Sequence, residues 1–271
     1  MSKCKNCHAE LYGKFCSDCG QKVYTEKDKS VKNLLHEAFH FITHFEGKFF
    51  NTLKTIFRYP GKLSIDYSQG IRQRYYKPIS FYLLIVVLYL IFPLFSGLNM
   101  EMKYYKKNVL WGDYVSRQIE DNLTKKGITD TQLSEKFNQK SKSTSKILLL
   151  LLIPLTVPIL YLLYFNKKRL LFDNIILATE LNIFYLLAIY FLSPFLILPV
   201  MKVFKFTLTE FTLGLLLLVV FVTYASVLFQ RVFKGKWWLS IIKGILFAFL
   251  HTAMLMFVYK AIVFEVTFAL I

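Results

Sequence analysis

The stretch KILLLLLIPLTVPILYLLYF, Lys146 to Phe165, carries one charge, at its first residue, and is otherwise apolar apart from one threonine and two tyrosine hydroxyls. A hydrocarbon core of ~30 Å is crossed by about 20 helical residues. In lipid such a run has no water to satisfy its backbone, so it must form its hydrogen bonds internally, as a helix. Four more runs read the same way: PISFYLLIVVLYLIFPLFSGL from Pro78, IILATELNIFYLLAIYFLSPFLIL from Ile175, TLTEFTLGLLLLVVFVTYASVLF from Thr207, and LSIIKGILFAFLHTAMLMFVYKAIVF from Leu239. The expected fold is an all-α polytopic membrane protein with about five transmembrane helices, at 78–98, 146–165, 175–198, 207–229 and 239–264. Composition agrees, since 55% of the 271 residues are hydrophobic and Phe alone numbers 27, a balance that soluble domains seldom carry.

No apolar run precedes Pro78, so the first span is expected to act as an uncleaved anchor rather than a signal peptide. Residues 1–77 then form a soluble or interfacial front. It opens with CKNCHAELYGKFCSDCGQ, Cys4 to Gln21, in which Cys4 and Cys7 make one C-x-x-C and Cys16 and Cys19 another, eight residues apart; these are all the cysteines of the chain. Two such knuckles present four thiolates tetrahedrally at ~2.3 Å, a closed sphere that suits structural zinc. A pair of disulfides and a rubredoxin-like iron site are the competing readings. The disulfides conflict with a reducing compartment and the iron has no redox partner in view. His8 is read as a neighbour of the site rather than a ligand. A Cys4 site has no open position for substrate, so no catalysis is expected there. A segment as short as 1–24 draws its folding energy from the metal and serves as a small rigid knob that binds a partner or braces its neighbours.

The side of the membrane follows from charge. The short segments NKKR (Asn166 to Arg169) and QRVFKGKW (Gln230 to Trp237), with Arg72, Arg74 and Lys77, fall on one face if five spans alternate. Basic short loops mark the cytoplasmic side, where the cysteines also stay reduced. Residues 99–145 are then a polar extracytoplasmic loop in which lysines are offset by acids. The formal charge of +17 is read as cationic loops facing anionic lipid rather than as a nucleic-acid surface.

Between the cysteines and the first span, residues 30–77 are read as an amphipathic, juxtamembrane segment. From Ser30 to Phe57 a helical wheel gathers Leu34, Leu35, Phe41, Ile42, Phe45, Phe49, Leu53 and Ile56 on one half and polar residues on the other, which suits a helix lying in the cytoplasmic interface or packed on the bundle. His36, His40 and His44 recur at i, i+4 and i+8 on the polar side, a spacing that could hold a metal or titrate. Pro60-Gly61 ends this helix. Arg72, Arg74, Tyr75, Tyr76 and Lys77 are expected to anchor the chain at headgroup level.

Ionisable groups inside lipid are expensive and therefore stand out. Glu180 in the third span and Lys243 in the fifth lie at similar depth and are expected to pair, with His251 two turns deeper. Pro93, Pro154 and Pro158 interrupt the first two spans.

Three stretches, NTLKTIFRYPGKLSIDYSQGIRQRYYKPISF (51–81), FCSDCGQ (15–21) and FDNIILATELNIF (172–184), together resemble an uncharacterised bacterial membrane family, domain of unknown function 3667. The resemblance implies a short N-terminal zinc ribbon, a Pro-Gly turn and a basic step ahead of several spans. Pro60, Gly61, Tyr67, Gly70, Arg72, Arg74 and Tyr75 fill those places, with Ile71 where a lysine is expected. Where members carry Glu-His and a later His-x-His in the third span, this chain has Asp173, Asn174, Glu180 and Asn182. The resemblance implies no established activity. The functional expectation is an integral protein of the bacterial inner membrane that displays a cytoplasmic zinc ribbon for partner binding or regulation. The alternative is a small transporter or channel using Glu180, Lys243 and His251. An intramembrane enzyme would need a nucleophile and base that the sequence does not assemble.

Overall fold

The structure is a computed structural model. It describes residues 4, 7, 9, 10, 12, 13 and 15–19, then 47–91, 98–108, 111–167, 170–203 and 209–271. The chain divides into two compact units, Met1–Phe50 and Asn51–Ile271. The described residues are mostly helical and contain no strand. The amphipathic helix expected over 30–57 lies outside them up to residue 46, as do His36, His40 and His44; from 47 to 58 the chain is helical (α1).

The larger unit is built around one helix. Helix α8 (Leu171–Leu187) buries Asn174, then every residue from Ile176 to Phe184, then Leu186 and Leu187. A helix apolar all round must be covered all round. It is packed by α2 (Lys62–Ser68), α3 (Pro78–Ile91), α7 (Leu152–Leu163) and α10 (Glu210–Phe233). Helix α10 returns through the left-handed Lys234 (φ 49°) into α11 (Trp237–Ala253), the most extensive helix pairing in the molecule. At its crossing Gly244 meets Ser226 so closely that a Cβ on the glycine would lie 2.1 Å from the serine Oγ. Small residues at such a crossing let two backbones approach where lipid supplies no hydrophobic drive.

Among the described residues three helical runs are long and apolar enough to cross a membrane: Asp130–Leu163, Phe211–Phe233 and Trp237–Ala269; Pro78–Ile91 is a shorter apolar helix. The segment expected as the third span continues α8 through a π-helical stretch, Ala188–Ile197, into α9 (Leu198–Val203). The outward sides of α10 and α11 expose Leu215, Leu216, Val219, Ile242, Ile245 and Phe249, an apolar surface suited to acyl chains.

The polar connection expected over 99–145 is largely helical in its described residues. They fold into α4 (Met102–Lys106), α5 (Gly112–Lys126) and α6 (Asp130–Ile147). Thr129 and Gln132 close a reciprocal capping box at the start of α6, which satisfies two orphan helix donors at once. Met102, Tyr105, Val115, Ile119, Leu133 and Phe137 bury a core against Phe264 of α12 (Lys260–Ala269). The segment is polar only on average: its few apolar residues recur at helical spacing and share one side.

Helix α6 runs into α7 through a 3₁₀ turn, Leu148–Leu151. Pro154 and Pro158 have no N–H, so the ladder is incomplete here. Two buried tyrosines brace this turn: the Tyr82 hydroxyl donates to Leu149 O at 2.5 Å and the Tyr259 hydroxyl to Ser145 O.

Candidate functional site

Two constellations carry chemistry, one in each unit. In the N-terminal unit the Sγ atoms of Cys4, Cys7, Cys16 and Cys19 all lie within 4.8 Å of one another. Cys4 and Cys19 Sγ stand 3.6 Å apart, and Cys7 and Cys16 Sγ 3.5 Å. None is in a disulfide. Thiolates ~2.3 Å from a common centre in a tetrahedron are separated by roughly 3.8 Å, so these separations fit four sulfurs about one ion. Cys4 and Cys16 are buried while Cys7 and Cys19 are exposed. The four cysteines could hold a metal ion.

In the larger unit a carboxylate organises the segment ahead of the first apolar helix. Glu180, fully buried on α8, accepts four hydrogen bonds. Oε1 takes Gly61 N–H at 2.8 Å and the Tyr224 hydroxyl at 3.4 Å; Oε2 takes Ser64 N–H at 2.9 Å and the Ser64 hydroxyl at 2.5 Å. Gly61 and Ser64 are the N-cap and third residue of α2, so the carboxylate binds backbone donors that a helix start leaves orphaned. Gly61 reaches this position with φ 82°, against Val232 and Leu228 of α10, where a Cβ would approach Val232 Cγ2 to 2.9 Å. Arg231 completes the clamp by donating to Pro60 O at 2.7 Å.

The residues after α2 fold back. Tyr75 donates to the buried carboxylate of Asp66 at 2.5 Å, Tyr76 N–H donates to Thr52 Oγ1 at 2.9 Å, and Asn51 Nδ2 donates to Arg74 O at 2.8 Å. Residues 51–77 are therefore one knot tied to the bundle. This corrects the expectation for Tyr75, which is 4% exposed and faces Asp66 rather than the headgroups. Arg72, Arg74 and Lys77 are exposed and Tyr76 is half-buried. Burial first, and then the hydrogen bond and charge of Asp66, push the Tyr75 phenol from its ordinary 10.0 up to about 12.

The expected pair of Glu180 and Lys243 is not formed. Lys243 Nζ donates to Leu163 O at 2.7 Å and stands 3.9 Å from the centre of the Tyr164 ring. Leu163 ends α7, and a helix C-terminus offers carbonyls without donors and the negative end of the dipole. Glu180 meanwhile faces α2 and α10. Equal depth along two helices says nothing about which faces meet, and among the described residues the two make no ion pair.

His251 belongs to a third network. Asn182 Nδ2 donates to Thr156 Oγ1 at 2.9 Å and Ala178 O at 2.8 Å. Its Oδ1 is thereby the acceptor, 3.2 Å from His251 Nε2, which assigns the proton to Nε2. The imidazole is boxed by Tyr185, Phe221 and Phe247, with ring centres at 4.9, 5.3 and 5.6 Å. Its Nδ1 has no partner among the described residues. Glu180, Lys243 and His251 thus sit in three separate networks.

Sequence reading missed Ser64, Asp66, Thr156, Asn182 as a donor, and Tyr224. Ser64 alone carried a signal, as a hydroxyl at the third position of a helix opened by Pro-Gly.

The architecture and the thiolates define the class: a helical protein with several membrane-competent helices and a four-cysteine cluster able to hold a metal. A family model described as protein of unknown function (DUF3667) matches residues 46–90. That stretch contains the knot, from α1 through Pro60-Gly61 and α2 to α3, while the cysteines and Glu180 lie outside it. No curated protein and no solved structure matches.

Proposed function

We propose that this chain is a five-span integral protein of the bacterial inner membrane, which displays on its cytoplasmic side a zinc ribbon that binds a protein partner or regulates the bundle. The observation that carries the reading is the mutual spacing of the four Sγ atoms, which suits a closed tetrahedral thiolate site and leaves no position for substrate. The zinc-bound knob is a recognition element. No reaction is assigned. The transporter reading has less support, because Glu180 and Lys243 are engaged in bonds that hold the fold together.

Elemental analysis of the purified full-length chain tests the metal: one zinc per chain is expected, with loss in C16S. A partner captured from solubilised membranes by the wild type and lost in C16S supports the recognition role. Absence of zinc, or full zinc occupancy in C16S, removes the basis for the reading.

A further inference from the structure

The end of the larger unit that carries the knot holds a recess of about 340 Å³ where the end of α2, the α7–α8 connection and the end of α10 meet. Its floor is apolar, formed by Ile65, Val232 and Phe233, the last stacked on Tyr164 at 3.5 Å with the rings 7° from parallel. Its rim is charged, with Lys167 and Asp173 both lining it. The two form no ion pair with each other among the described residues. Asp173 is steadied by the Ser68 hydroxyl at 2.7 Å on one oxygen, which leaves the other oxygen available. Close by, the Arg72 guanidinium lies over the rings of Tyr67 and Phe172, 5.5 and 5.1 Å from their centres, within cation–π range.

The depth of the recess follows from its neighbours. The membrane-competent helix Phe211–Phe233 ends at its floor, and Trp237 and Trp238, each more than half exposed, open the next helix. Exposed tryptophans favour the boundary between hydrocarbon and headgroups. A recess at that level with a cation and a carboxylate on its rim, over an apolar floor, matches a molecule that carries a phosphate, a nearby ammonium and acyl chains.

We infer that the recess binds the headgroup of a zwitterionic phospholipid with a primary amine, of the phosphoethanolamine type, the phosphate on Lys167 and the ammonium on Asp173. A quaternary ammonium cannot donate a hydrogen bond to Asp173, and a glycerol headgroup brings no cation. The inference rests on the reading of the chain as membrane-spanning.

The test titrates the full-length protein in detergent with dihexanoyl phosphatidylethanolamine, phosphatidylcholine, phosphatidylglycerol and inorganic phosphate, with binding read by native mass spectrometry. Phosphatidylethanolamine should bind roughly tenfold tighter than the other two lipids, the worth of one charge-assisted contact. K167A and D173N should each remove that advantage. G244A, which strains the α10–α11 crossing away from the residues that line the recess, should retain it and so separates loss of the site from loss of the fold. Equal affinity for the three headgroups, or inorganic phosphate that binds as tightly as the lipid, overturns the inference. Recovery of the chain in a soluble fraction instead of carbonate-washed membranes would defeat the membrane-spanning reading itself, a result distinguishable from loss of headgroup preference.

Discussion

Glu180 is the residue whose environment is most demanding. Its two oxygens face only donors, so a glutamine of the same shape must turn an NH₂ group toward either Gly61 and Tyr224 or Ser64. Each buried donor left unpaired costs roughly 1–3 kcal/mol, and E180Q should accordingly melt well below the wild type in detergent. S64A removes one hydroxyl and keeps the backbone bonds, so its loss should be nearer 1 kcal/mol. An E180Q protein that melts with the wild type would show that the clamp is not what holds α2. Tyr75 makes a prediction in pH. Its folded-state value, about 12, lies above the ordinary 10.0, so its contribution to stability is complete below pH 10 and is lost as pH rises through 12. Y75F should flatten that alkaline decline while lowering stability at neutral pH, because buried Asp66 loses a donor. An unchanged alkaline profile in Y75F would place the titration elsewhere.

At the scale of elements, the α10–α11 hairpin depends on one close crossing. Ser226 Oγ is already committed to Val222 O at 2.7 Å and would lie 2.1 Å from a Cβ at position 244. Something must shift if that Cβ is added, and overpacking of this kind costs about 1–3 kcal/mol. G244A should therefore destabilise the protein, and S226G in the same chain should restore part of the loss. Thermal melts of the two single variants and the double decide it: additive losses would mean that the two positions do not meet. The same pair explains why α11 carries Ser240, Gly244 and Ala248 at intervals of four, all buried, among otherwise large residues.

For the whole molecule, the division into Met1–Phe50 and Asn51–Ile271 makes metal removal informative. In the proposed function the N-terminal module, too small to bury a core, draws its folding energy from the ion it binds, whereas the larger unit is held by its own packing. Chelation should therefore raise amide exchange around residues 4–19 and leave the melting of the bundle within about 2 °C of its starting value, a shift equivalent to at most about 1 kcal/mol. A bundle that unfolds with the ribbon would show that the two units fold as one.

What the sequence determined by itself is whatever depends on spacing along the chain. Runs of about 20 apolar residues mark membrane helices because their length is matched to a fixed thickness. Two C-x-x-C pairs mark a metal-competent cluster because knuckle geometry is local. The Pro60-Gly61 turn was legible because both residues act on their own backbone. What only the tertiary structure decided is which faces meet. Glu180 clamps Gly61 and Ser64, more than a hundred residues away, Lys243 finishes α7, Tyr75 turns inward to Asp66, and residues 99–145 become a helical layer against α12. Each outcome depends on the rotation of one helix about its axis relative to another, and a linear pattern constrains that rotation only weakly when a helix such as α8 is apolar on every side.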